Sequence, residues 1–121
     1  MTDIDKADKP ERLSVEQRTV DGIRVVTVQG EIDNDVKDVL SNALLPPEGT
    51  LAPRIVADLS GVTFMDSSGI NVFVTAHQTV TGADGWLRIA AAQESVLRVL
   101  EVVGIDAIIT CHPTLEQALR T

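Results

Sequence analysis

Four consecutive residues, Asp66-Ser67-Ser68-Gly69, place a carboxylate, two hydroxyls and a glycine where an apolar run ends and a helical pattern begins. A helix start presents backbone N–H groups that lack intrahelical partners. It can therefore hold an acidic cap, a reactive hydroxyl or a covalently attached phosphate. Capping needs only an oxygen of Asp66, Ser67 or Ser68 facing the first-turn N–H groups, with Gly69 relieving crowding. Nucleophilic catalysis by Ser67 needs a base within hydrogen-bond reach and an oxyanion hole. The strand–turn–helix nucleophile pattern G-x-S-x-G is missing its first glycine, because Met65 stands there. Of the two histidines, His77 reads as a packed helix residue and His112, before Pro113, as a cap or loop residue. Phosphorylation asks less of the chain, namely an exposed serine on a rigid helix start and a kinase that docks there. With no P-loop and no glycine-rich kinase loop, ATP would belong to that partner and this chain needs no cofactor. The phosphate would add about −1.5 to −2 charges beside Asp66, which would turn a surface fitted to a neutral hydroxyl into a repulsive one. Helix physics leaves all three readings open.

The elements that would position these residues can be read around them. Leu13, Val15 and Gln17 alternate with polar neighbours, Asp21-Gly22 supplies a turn tolerant of positive φ, and "IRVVTVQG" has a β-branched strand composition, so the domain opens with a hairpin. Val36, Val39, Leu40, Ala43 and Leu44 form a helical stripe, with Asp33 or Asn34 as its cap and Pro46-Pro47 as its end. "RIVADLS", residues 54–60, reads as a short buried strand. From Ser67 to Gly82 the pattern is helical, with Ile70, Phe73, Val74 and His77 on one face and Val72 and Ala76 widening it, which predicts a largely buried helix. "WLRIAAA" is a further strand, and Val96, Val99, Leu100 and Val103 stripe a helix closed by Gly104. A short strand is expected at Ala107 to Thr110, then a last helix with Pro113 in its first turn and Leu115, Ala118 and Leu119 facing inward. The order β-β-α-β-α-β-α-β-α predicts an α/β domain whose mostly parallel sheet opens with an antiparallel hairpin.

Composition narrows the function classes. The chain has 121 residues, enough for one domain with a real core, and a formal net charge of −8. Duplex nucleic acid and anionic membranes both reward clustered Lys and Arg, so protein partners are expected instead. Cys111 is the single cysteine, which excludes an internal disulfide, and no Cys/His spacing resembles a metal site; a reducing, cytoplasmic setting fits. Aromatics are limited to Phe64, Phe73 and Trp86, with Trp86 read as a packing residue rather than a ligand platform. Residues 1–12 are charged and contain Pro10, a composition expected to stay disordered, so the domain is placed at 13–121.

The stretch "DLSGVTFMDSSGINVFV" closely resembles the signature of the STAS domain in bacterial anti-sigma-factor antagonists, also called anti-anti-sigma factors. "GEID", Gly30 to Asp33, resembles that family's second motif, and "VLRVLEVVGI" with "LEQAL" resembles its C-terminal helices, so the likeness covers about residues 13 to 120. The resemblance implies a single STAS domain, a mixed four- to five-stranded sheet with helices mainly on one face. It implies phosphorylation at Ser67, with Asp33, Asp66, Ser67, Ser68 and Gly69 at the partner contact. It also implies a partner-switching cycle. In that cycle the unphosphorylated form binds a serine kinase that doubles as an anti-sigma factor and so frees a sigma factor; phosphorylation ends the complex, and a PP2C-type phosphatase resets it. The segment "NDVK", residues 34–37, departs from the small residues or Thr common there and bears on which partner is bound. A STAS module in a stress-signalling scaffold or a transporter-associated complex is the alternative, and a small serine hydrolase the reading from a different class.

Overall fold

The computed structural model describes residues 13–120; the tail expected at residues 1–12 lies outside the described residues. Strands β1 (Leu13–Val20) and β2 (Ile23–Ile32) form the expected hairpin, paired antiparallel from Leu13↔Gly30 to Val20↔Ile23. Both turn residues have positive φ, 52° at Asp21 and 81° at Gly22, the conformation whose twist matches that of the flanking strands. A 3₁₀ turn (Asn34–Val36) leads into α1 (Lys37–Leu44), followed by β3 (Arg54–Met65), α2 (Ser67–Gly82), β4 (Trp86–Ala90) and α3 (Glu94–Val102). A second 3₁₀ turn (Ile105–Ala107), β5 (Cys111–His112) and α4 (Leu115–Ala118) complete the chain.

The five strands lie in the order β1-β2-β3-β4-β5, with every pair after the first parallel. This order decides where the helices go. Parallel crossovers are right-handed, and here each one steps in the same direction across the sheet, so α1, α2 and α3 must fall on the same face. The main core records that outcome: Val26, Val28, Ala57, Leu59 and Ile89 meet Leu40, Leu44, Phe73, Ala76 and Leu100. Helix α4 comes after the last strand, is free of that rule, and covers the opposite face through Ala118 against Ile23, Val56 and Ala90. Arg88 fastens it there, donating from Nη1 to the carbonyls of Ala118 (2.9 Å) and Arg120 (2.7 Å) with its guanidinium 3.7 Å from the centre of the Trp86 ring. Trp86 is thus a packing residue. Among the described residues no polar or charged side chain is buried, in keeping with an aliphatic core.

Several local expectations are corrected. Strand β3 does not end at Ser60 but continues through Gly61, Val62, Thr63 and Phe64 to Met65, because two register shifts in its pairing with β2 keep Val62 and Met65 pointed into the core. Helix α2 is not largely buried: its inward stripe is Gly69, Val72, Phe73, Ala76 and Val80, while Asn71, Thr75, Gln78 and Thr79 face water and Ile70, Val74 and His77 lie at the boundary. Val39 and Val103, read as stripe residues, are about half exposed, at 49% and 53%. No strand forms at Ala107 to Thr110: a 3₁₀ turn over Ile105–Ala107 buries Ile105, irregular backbone follows to Thr110, and β5 begins at Cys111; Gly104, in the left-handed region at φ 84°, stops α3 and starts that turn. Pro113 precedes the last helix rather than entering it, since Thr114 is the cap, its Oγ1 accepting from the Gln117 N–H at 3.1 Å.

Phe73 is the largest fully buried side chain and binds α2 to the sheet. Truncation to Ala is expected to cost about 3–5 kcal/mol. Urea unfolding of Phe73→Ala should show a clearly lowered midpoint with unchanged m, because that loss is a sizeable share of the roughly 5–15 kcal/mol by which domains are stable.

Candidate functional site

Strands β2 and β3 are parallel neighbours, so their carboxyl ends emerge side by side, with Glu31 paired to Phe64 and Ile32 to Met65. Each strand then turns at once into helical structure, one through Asp33 and the other through Asp66. The two turns use the same device. Asp33 accepts from the Asp35 N–H at 3.0 Å and opens the 3₁₀ turn, whereas Asp66 accepts from the Ser68 N–H at 2.8 Å and opens α2. Asp33, not Asn34, is therefore the cap, and it caps the 3₁₀ turn; α1 itself begins after Val36 with no side-chain cap. The two turns are tied together where the Asp66 N–H donates to the Ile32 carbonyl at 3.2 Å.

Only Asp66 separates β3 from α2. Its carbonyl accepts from the Gly69 and Ile70 N–H groups at 3.1 and 3.3 Å, so side chain and main chain together satisfy three N–H groups of the first turn. Ser67 occupies the first helical position and is exposed; Ser68 is half-buried, and its hydroxyl reaches toward Asn34 Oδ1 at 3.5 Å. Gly69 is buried under both strands. A Cβ there would sit 2.7 Å from Ile32 Cγ2 and 2.7 Å from Met65 Cγ, closer than packed carbons approach. Its role is thus close packing beneath the serines, and its lack of a side chain sets how deeply α2 seats.

The five residues singled out in sequence do come together, and the capping reading is realised by Asp66, which leaves Ser67 uncommitted. Sequence reasoning read Asn34 as a possible cap and as part of the divergent segment but not as the neighbour of Ser68, and it missed Phe64, which is 48% exposed at the end of β3 one residue before the buried Met65. The aromatic scarcity of the chain was the available signal for Phe64, but the register shifts that turn it outward have no mark in the pattern. A shallow polar groove of about 240 Å³ runs between α1 and α2, walled by Asn34, Lys37, Asp38, Ser68 and Asn71. This groove puts the divergent "NDVK" segment beside the serines.

The nucleophile reading fails on distance. His77 lies ten residues along α2 from Ser67, about 15 Å at the helical rise. His112 is on β5, two strands away from β3, at a level matching Ala90 and Asp58 rather than Met65. Burial, with Arg88 adding to it, holds His112 below the usual histidine range, which favours its neutral form. Cys111 is no substitute nucleophile: burial, reinforced by Asp106 and Glu101, pushes its thiol up to about 11. At neutral pH that leaves roughly one thiolate in ten thousand. No group of three His, Cys, Asp or Glu side chains among the described residues could hold a metal ion. No helix among them is long and apolar enough to cross a membrane.

With this geometry in view, the chain can be set beside known proteins. The sequence model of the STAS domain matches residues 14–118. The anti-sigma-B factor antagonist of Staphylococcus aureus is 29% identical over 93 residues, covering 77% of this chain and 86% of its own length. The crystal structure of an anti-sigma factor antagonist from Mycobacterium paratuberculosis superposes with a TM-score of 0.77 at 28% identity, over 92% of this chain and 94% of that one. An anti-sigma-factor antagonist (STAS) domain protein from Planctomyces limnophilus shares the fold, with a TM-score of 0.74 at 19% identity over 87% and 94% of the two chains.

Two substitutions separate the cap from the packing beneath it. Asp66→Ala removes one charge-assisted cap bond and should cost about 1 kcal/mol, whereas Gly69→Ala, which forces α2 off the strand ends, should cost about 1–3 kcal/mol. Thermal and urea unfolding of both variants, with amide exchange at residues 66–70 as a local readout, would check the order.

Proposed function

The chain belongs to the STAS domain family, and from that premise we propose that it is an anti-sigma-factor antagonist whose partner binding is switched by phosphorylation of Ser67. The observation that carries this reading is the division of labour at the helix start. Asp66 takes the capping role that would otherwise engage a serine, and the exposed Ser67 hydroxyl is presented on a fixed backbone. The helix start tolerates an anion. The helix dipole favours a phosphate by about 0.3–1 kcal/mol, and repulsion from Asp66 opposes it by roughly 1–2 kcal/mol for −1.5 to −2 charges ~5 Å away in water. The difference is small beside the roughly 5–15 kcal/mol by which domains are stable, so modification should leave the fold standing and act on the surface.

That surface carries only a shallow groove. Ligand crevices in parallel sheets arise where the strand order reverses direction, and the order from β2 to β5 never does. A broad partner therefore suits it better than a small molecule. In this reading Asp33, Asp66, Ser67 and Ser68 form the contact, and Gly69, expected there from the sequence, is buried and supports them from beneath. The partner is an anti-sigma factor that is also a serine kinase, ATP sits in the kinase, and a PP2C-type phosphatase removes the phosphate. The unphosphorylated form holds the kinase and thereby releases a sigma factor, which places the protein in the cytoplasm. A phosphate of about −1.5 to −2 charges inserted into that contact adds bulk, repulsion and a desolvation penalty, so the complex separates.

Incubation with the cognate kinase and ATP should label one site, and Ser67→Ala should abolish labelling. Label that persists in Ser67→Ala and disappears in Ser68→Ala would move the switch to the second serine. Ser67→Glu should lose affinity for the kinase at least about tenfold with its melting temperature unchanged; binding equal to the parent would overturn the switch.

A further inference from the structure

The amino ends of β2 and β3, at the opposite end of the sheet from Ser67, border a cavity of about 230 Å³. Its walls include Arg24, Arg54, Pro46, Pro47, Pro53 and Leu51. Two arginines line it and no acidic residue does, in a chain of net charge −8. Asp21 and Glu48, the nearest acids in sequence to the lining segments, stand outside it and face solvent.

From this arrangement we infer that the cavity is a binding site for a small organic oxyanion, a phosphate or carboxylate group carried on a compact apolar body. The two guanidiniums are held differently. Arg24 is half-buried and fixed by neutral acceptors, Gln17 Oε1 at 3.0 Å from Nε and 2.6 Å from Nη2, and the Leu45 carbonyl at 3.2 Å from Nη1. The last bond closes the C-terminus of α1, which explains the position of Arg24 but leaves its charge without a counter-ion. Burial pulls its guanidinium below the usual arginine range, the mark of a cation that has lost water without gaining an anion. The Arg54 side chain makes no hydrogen bond or ion pair with another described residue. Its Nη2 lies over Gly22, in space that any side chain at that position would fill. Gly22 has φ 81° and closes the β1–β2 turn, so the turn geometry and the clearance for Arg54 come from one glycine.

A planar guanidinium matches an oxyanion through two parallel N–H···O bonds, and both phosphate and carboxylate satisfy it. The rest of the wall sets the kind of body. Three prolines and the left-handed Ala52, φ 49°, give stiff apolar sides, and Leu51 is 89% exposed at the mouth. The volume equals about eight waters of liquid and lies below the roughly 300–1,000 Å³ typical of drug-sized ligands. A single ring or short chain bearing one anionic group fits within it.

The full-length protein titrated with phenyl phosphate, benzoate and the neutral benzamide, followed by amide and arginine Nε resonances, tests the site. Saturable shifts confined to Gly22, Thr50, Ala52 and Arg54, with residues 66–69 unmoved, are expected from at least one anion below about 10 mM and not from benzamide. Whether phenyl phosphate or benzoate binds more tightly assigns the headgroup. Arg54→Gln should weaken binding at least about tenfold with unchanged melting, and Arg24→Gln should do the same where it remains folded. The inference is overturned by an absence of saturable shifts from either anion, by equal binding of benzamide, or by undiminished affinity in Arg54→Gln.

Discussion

A single residue joins the longest strand to the longest helix, and that tight joint constrains most of what surrounds it. With only Asp66 between Met65 and Ser67, helix α2 cannot drift relative to β3, and its first turn must lie directly over the ends of two strands. Gly69 permits that approach, because any larger residue would strike Ile32 and Met65. Asp66 stabilises it by closing the first turn with its own carboxylate and carbonyl. The buried stripe of α2 and the course of the chain into β4 follow from this seating. So does the presentation of Ser67, whose exposure is a consequence of the depth at which its neighbours are held.

The α/β class, the antiparallel opening, the element order and the helix from Ser67 to Gly82 were legible in the sequence, because each rests on a strong periodic pattern bounded by turn residues. The misread features share a cause, since each depended on a partner that one-dimensional pattern does not carry. Strand β3 runs on to Met65 because β2 lies beside it and shifts register with it. The inward stripe of α2 is rotated from the expected one because hydrophobicity alone ranked Ile70 and Val74 with Phe73, whereas packing depth favoured the small Gly69 and Ala76. Val39 and Val103 look like core residues by spacing yet stand about half in solvent. The run Ala107 to Thr110 read as a strand, but Gly104 redirects the chain into a 3₁₀ turn over Ile105–Ala107, and Ile109 is buried beyond it.

The site was legible in a different way. The group at 66–69 announced itself by residue type, and helix physics identified the cap position while leaving Asp66 and the two serines as competing occupants. Geometry gave that role to Asp66. The contribution of Asp33 was visible as a cap, but the pairing of the two caps across adjacent strand ends appears only once β2 and β3 are known to be parallel neighbours. Phe64 and Asn34 entered through that same adjacency.

The seating of Ser67 has a consequence for any enzyme that acts on it. Its backbone is already wound into a helix, and the adjoining Gly69 lies beneath the surface, so the extended conformation by which a strand-like substrate aligns in a groove is not on offer. What is recognised must be a shape assembled from two chain segments more than thirty residues apart, Asp33 and Asn34 on one side and Asp66 to Ser68 on the other. A linear peptide copied from residues 58–74 would carry every letter of the motif and almost none of its relief. An enzyme acting on that hydroxyl would have to address it by architecture, and the unfolded chain would be illegible to it.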